Sequence, residues 1–192
     1  MVALVLTLAI ILGCIALPAA AAAPTGTVTG SPETVQVSAG VGTERENNFN
    51  EGWKFHLGDI ASASNPSFND SGWKSVTLPH DFSISQSFTT SGEAESGFLP
   101  GGTGWYRKTF TMPASAAEKT VLLQFDGVYS DAYVYVNGTF VGENHYGYTP
   151  FAFDISDNLT CDGVTDNVIA VKAVNNVPSS RWYSGSGIYR DV

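Results

Sequence analysis

Hydrophobic and polar residues along this chain alternate in short runs and never settle into a sustained helical stripe, so the pattern predicts strands. Trp53 and Phe55 are the first aromatic pair at period two, which places both rings on one strand face. Val76-Thr77-Leu78 reads as a short strand stopped by Pro79. Strand signals become dense from Trp105-Tyr106-Arg107-Lys108-Thr109-Phe110, followed by Thr120-Val121-Leu122-Leu123-Gln124-Phe125. Phe151-Ala152-Phe153-Asp154-Ile155 and Asn167-Val168-Ile169-Ala170-Val171-Lys172-Ala173-Val174 add two more. The clearest local signal is Ala132-Tyr133-Val134-Tyr135-Val136-Asn137-Gly138-Thr139-Phe140-Val141. Asn-Gly tolerates positive φ at both central positions of a type I′ turn, so a hairpin is expected there.

Two longer segments interrupt this pattern. Residues 66–76 set Phe68 and Trp73 among turn formers, which suggests a compact loop pinned to the core. Residues 83–104 are rich in Ser, Thr and Gly with only a few large apolar side chains, chiefly Phe88 and Phe98, and loops this long are usually functional or mobile. Within it, Pro100-Gly101-Gly102-Thr103-Gly104 can let backbone approach a ligand closely, but glycine-rich turns more often reverse the chain, and a turn is expected. Many short strands without a crossover helix predict an all-β, antiparallel sandwich. Residues 187–192 read as the opening of a strand rather than a solvated tail, so the sandwich is expected to be truncated at its C-terminal strand.

The N-terminus is of another kind. Residues 2–17 are nearly all apolar and an alanine run follows, which reads as a secretory leader over residues 1–23, although no Lys or Arg precedes it. The same stretch is almost long enough to span a bilayer if uncleaved. Ile11-Leu12-Gly13-Cys14 resembles a lipoprotein box, but one placed early and followed by more apolar sequence. Residues 24–43 are too small and polar to offset their ordering entropy and are expected to be a disordered linker, leaving residues 44–192 as the folded domain.

Composition narrows the function classes. Nine basic against eighteen acidic residues give a net charge of −9 over 192 residues, which repels phosphate backbones and anionic lipid. No nucleic-acid partner is expected, and a membrane only through an uncleaved leader. The only cysteines are Cys14, within the leader, and Cys161, so the mature chain is expected to form no internal disulfide and must be held by packing. Cysteine and histidine do not cluster at ligating spacing, and neither a metal nor a cofactor is expected.

Seven landmarks then occur in order: Asn50-Glu51-Gly52-Trp53-Lys54-Phe55, Leu78-Pro79-His80-Asp81, Gly104-Trp105-Tyr106-Arg107-Lys108, Phe125-Asp126-Gly127-Val128, Val134-Tyr135-Val136-Asn137-Gly138, Gly147-Tyr148-Thr149-Pro150-Phe151, and Arg181-Trp182-Tyr183-Ser184-Gly185-Ser186-Gly187-Ile188-Tyr189-Arg190. Together they resemble the N-terminal sugar-binding domain of family 2 glycoside hydrolases, the group containing β-galactosidases and β-glucuronidases. The resemblance covers roughly residues 45–192 and implies a jelly-roll, galactose-binding-domain-like sandwich. It also implies downstream immunoglobulin-like and TIM-barrel domains, the barrel carrying the two catalytic glutamates of a retaining glycosidase. The Arg-Trp-Tyr form of the last landmark looks most like the β-galactosidase branch, which favours a β-linked galactoside as partner.

No catalytic residue is expected within this chain. Asp81, Glu93, Glu95, Asp126, Asp131, Glu143 and Asp154 mostly sit beside Gly, Asn or Ser in turns, where local backbone bonding accounts for them. No Gly-x-Ser-x-Gly elbow is present. The candidate sugar contacts are Arg181, Trp182, Tyr183 and Asp81. A guanidinium offers fork donors for vicinal hydroxyls, an indole or phenol offers a flat apolar face for pyranose C–H groups, and a carboxylate accepts hydroxyl hydrogens. Packing at the end of the sandwich accounts equally for the two rings, an ion pair with Asp191 for Arg181, and a capped turn for Asp81. Two roles follow: accessory domain of an exported family 2 hydrolase, forming one wall of its pocket, or a free-standing carbohydrate-binding or adhesion module.

Overall fold

The computed structural model describes residues 46–179, 182 and 185–192; the expected leader and linker lie outside them. Among the described residues ten strands form three antiparallel sheets: β1 (Trp53–Leu57), β2 (Lys74–Val76), β3 (Gly102–Thr111), β4 (Leu122–Phe125), β5 (Val128–Tyr129), β6 (Asp131–Val136), β7 (Thr139–Asn144), β8 (Phe151–Asp154), β9 (Asp166–Asn175) and β10 (Gly187–Ile188). The main sheet runs β2-β1-β3-β9-β6-β7, and the pairs β4-β8 and β10-β5 supply the facing layer. Among the described residues the only helical pieces are single 3-10 turns at Ala114–Ala116 and Ser156–Asn158. The architecture is an antiparallel jelly-roll sandwich.

Strand alternation places the core. β3 and β9 pair over their full length, from Gly102↔Asn175 to Thr111↔Asp166. Across the sheet, Phe55, Tyr106, Val171 and Val134 stand in one register row, all buried. Leu123, Phe125, Val128, Ile155 and Ile188 meet them from the facing layer in a single cluster. Each such burial contributes about 1.5–3 kcal/mol relative to exposure.

β6 keeps the period strictly, with Ala132, Val134 and Val136 buried. The hairpin turns at Asn137 (φ 50°) and Gly138 (φ 83°), as Asn-Gly requires. The Asn137 amide nitrogen also donates to Asn158 O and Asn167 Oδ1, and its oxygen accepts Val168 N–H, each at 2.8 Å.

Three expectations need correction. The strand expected at residues 76–78 is displaced to Lys74–Val76, because Thr77 Oγ1 turns to Glu51 and Leu78 N–H to Asn50 O. The strand expected from Thr120 begins at Leu122. The glycine stretch at 101–104 does not reverse the chain but opens β3. Its glycines serve close packing: a Cβ on Gly101 would stand 2.3 Å from Asn175 O, and one on Gly104 2.7 Å from the Phe55 ring.

Two buried cations on β3 fasten the loops on either face. Arg107 pairs with Asp70 at 2.8 Å, donates to the carbonyls of Ala63 and Asn65, and lies over the Phe68 ring. That holds residues 59–73 against the outer face, where Trp73 stacks on His56. Lys108 points the other way, donating to Phe49 O at 2.9 Å and Glu51 O at 2.6 Å, with its ammonium 3.6 Å from the Phe49 ring centroid. Burial pulls the Lys108 ammonium down to about 8. At the C-terminus, β10 pairs with β5, Val192 is buried, and its carbonyl accepts Phe49 N–H at 2.7 Å.

Candidate functional site

Beyond β2 the chain runs extended past His80 and Phe82, whose N–H groups donate to Ile188 O at 2.7 Å and Ser186 O at 3.0 Å. This brings residues 80–83 beside 185–188 even though neither stretch forms a long ladder. Gly187 makes the approach possible. Its φ is 99°, and a Cβ there would lie 2.1 Å from the Tyr106 hydroxyl and 3.0 Å from Phe82. His80 Nδ1 is 2.9 Å from the same hydroxyl. Burial, reinforced by Lys74, holds the His80 imidazole below its ordinary value, and burial pushes the Tyr106 phenol up. Both groups are therefore neutral near pH 7.

Asp81 Oδ1 accepts the N–H of Ser83 at 2.9 Å and of Ser186 at 3.1 Å. A Cβ on Gly185 would stand 3.4 Å from Oδ2 of the same carboxylate. Asp81 thus joins the two segments. Between them lies a polar chain within the protein: Asn175 Nδ2 donates to Ser186 Oγ at 2.7 Å, the two serine hydroxyls are 2.6 Å apart, and Ser83 Oγ donates to Pro100 O at 2.6 Å. A second tie runs farther out, where Ser179 N–H donates to Glu93 Oε2 at 2.7 Å.

The outer part of this rim carries large apolar side chains in contact with solvent. Phe88 is 73 % and Trp182 75 % exposed, and Ile84, Phe98 and Val177 are also exposed. Of the four candidate contacts, Asp81 lies at the base of the rim. Trp182 is exposed just upstream of the Gly185 contact, and Arg181 and Tyr183 lie outside the described residues. An exposed indole just before the glycine that lies against a fixed carboxylate offers an apolar face and an acceptor, the pair of functions a pyranose uses.

Four of the other carboxylates are occupied locally. Asp126 accepts from Gln124, Asp154 caps Ser156, and Asp131 and Glu143 hold opposite nitrogens of His145 at 3.0 and 3.2 Å. Sequence reasoning missed Ser83, Asn175 and Ser186. Their only advance signal was the Gly-Ser-Gly within the last landmark.

The family profile described as "Glycosyl hydrolases family 2, sugar binding domain" matches residues 48–192. The chain is 43% identical over 155 residues to a protein named Beta-galactosidase BoGH2A from Bacteroides ovatus, covering 79% of this chain and 18% of that one. It is 34% identical over 164 residues to a Beta-glucuronidase from Formosa agariphila, covering 76% of this chain and 16% of the relative. Among solved structures, a glycosyl hydrolase family 2 member from Bacteroides cellulosilyticus superposes with a TM-score of 0.73 at 42% identity, covering 76% of this chain and 20% of that one. An antiparallel sandwich with this rim, matched over this span, defines the class: a carbohydrate-recognising β domain. The chain belongs to family 2 of the glycosyl hydrolases, as the sugar-binding domain. It spans less than a quarter of the length of each of these relatives.

Proposed function

We propose that this chain is the N-terminal domain of an exported family 2 glycosidase of β-galactosidase type, and that its rim forms one wall of a pocket for a terminal β-galactoside. In this reading immunoglobulin-like and barrel domains follow, and the barrel supplies both catalytic glutamates. Arg181 donates to sugar hydroxyls, Trp182 and Tyr183 give apolar faces, and Asp81 anchors their segment. The observation that carries the reading is the rim: an exposed Trp182 beside a segment locked by Asp81, within a chain matched to the family's sugar-binding domain. Galactoside is preferred to glucuronide because the Arg181-Trp182-Tyr183 form of the last landmark looks most like the β-galactosidase branch, and the relative that is 43% identical is named a beta-galactosidase. Export rests on the apolar residues 2–17 alone.

The test compares the purified chain with the complete gene product on aryl β-galactosides and aryl β-glucuronides. The chain alone is expected to hydrolyse neither, and the complete product to cleave the galactoside faster. A glucuronide preference would reassign the sugar. Hydrolysis by the chain itself, lost on changing one of its carboxylates, would overturn the division of labour.

A further inference from the structure

Ser83 and Ser186 are among the most buried polar residues of the molecule, 1% and 0% exposed, and Asn175 is buried beside them. Burying hydroxyls and an amide costs free energy unless every group is bonded, and here they are. The bonds form one connected chain. The Ser83 hydroxyl lies 2.6 Å from both Pro100 O and Ser186 Oγ and is the donor to each, and the Asn175 amide donates to Ser186 Oγ. Removing either hydroxyl leaves a buried partner without its bond.

The chain ties four pieces of backbone: the end of β9, the start of the 83–101 loop, the end of that loop, and the segment leading into β10. These are the pieces that carry the exposed rim. Residues 84–100 contain no strand, and no sheet ladder includes the described residues between 176 and 186. Beyond the Phe82 N–H to Ser186 O bond and the Gly102↔Asn175 end of the ladder, the loop's two ends are therefore closed on each other and on the Trp182 segment through side chains.

We propose that Ser83, Ser186 and Asn175 are positioning residues that set the spacing between the 83–101 loop and the Trp182 segment, and thereby the width of the sugar-facing wall. The inference rests on the functional reading above only for its kinetic consequence. A fixed wall lowers the cost of ordering the site when a sugar enters, so loosening it weakens substrate binding more than the chemical step.

The experiment uses Ser186→Ala and Ser83→Ala, two variants in case one fails to fold. Hydrogen exchange on the chain is read segment by segment, and kinetics on the complete gene product with an aryl β-galactoside. Expected is exchange faster by about tenfold or more in residues 84–100 and 176–187, with β3 and β9 unchanged. KM should rise about five- to tenfold with kcat within about twofold. The double variant should cost less than the sum of the singles, because one chain is broken twice. Unchanged exchange in both segments would overturn the proposal, as would faster exchange with unchanged KM where Trp182→Ala does raise KM. If Trp182→Ala and Arg181→Ala leave the kinetics untouched, the sugar-site reading fails while the exchange result still decides whether Ser83, Ser186 and Asn175 set the spacing.

Discussion

The β3–β9 ladder and the rim that grows from its end are built on opposite principles. The ladder is a ten-residue register whose contribution to the core is apolar, Tyr106, Phe110, Ile169, Val171 and Ala173, so its stability there is spread over many similar contacts. The rim is held by single atoms: one carboxylate oxygen, two hydroxyls, an amide and a glycine with no room for a methyl group. A core of the first kind tolerates change because each contact is small and neighbours relax. A rim of the second kind fails at one substitution, but it holds side chains at fixed positions, which a binding wall needs.

The contrast is sharpest at glycine. Gly187→Ala combines a positive φ with a clash on the Tyr106 hydroxyl, and we expect a loss of about 4 kcal/mol in chemical denaturation. Gly163→Ala is the control, with φ 78° and open space around its Cβ position, and should cost about 1 kcal/mol. Equal losses would show that packing at Gly187 is not the issue. In the ladder, Ile169→Ala should cost about 3 kcal/mol through its cavity while leaving exchange in residues 84–100 unchanged. Loss of protection in the rim as well would erase the distinction between the two regions.

How much of this was legible follows the same divide. The hairpin at Asn137-Gly138 could be read because alternation and turn chemistry are local and agree. β9 could be read from its continuous apolar run. The start of β3 could not, since Gly101 and Gly104 look like turn residues until Asn175 O and the Phe55 ring are seen against them. Arg107 and Lys108 carried an unused clue: adjacent strand residues face opposite sides, so two consecutive charges in a central strand put one of them inward. The polar chain was beyond reach because Ser83 and Ser186 are 103 residues apart. The family landmarks singled out Arg181, Trp182, Tyr183 and Asp81, and of these only Asp81 and Trp182 fall within the described residues.

Two histidines give the smaller tests, with opposite sign. Burial at the base of the rim, with Lys74 adding to it and Asp81 opposing, lowers the His80 pKa in the fold, so the unfolded chain takes up protons first as pH falls below 6.5. Stability is complete above that pH and declines beneath it, and His80→Phe should flatten the decline in thermal melts. A profile unchanged by the substitution would remove His80 as its source. His145 is exposed at the sheet edge, where hydrogen bonds from its ring to the carboxylates of Asp131 and then Glu143 raise its pKa. Its contribution is complete below 6.5 and disappears as pH rises through the folded value. His145→Gln should therefore lower the melting temperature slightly at pH 5.5 and not at pH 8.5, with salt shrinking the difference. Loss at both pH values would point to packing instead of charge.

The claim that this rim faces a sugar is tested most directly by Arg181→Ala in the complete gene product, measured as kcat/KM on an aryl β-galactoside alongside the melting temperature. A charge-assisted hydrogen bond to a hydroxyl is worth about 1.5–3 kcal/mol, so kcat/KM should fall roughly ten- to a hundredfold. The melting temperature should move by less than about 2 °C. An unchanged kcat/KM with a lowered melting temperature would contradict the account and make Arg181 part of the sandwich, not of the site.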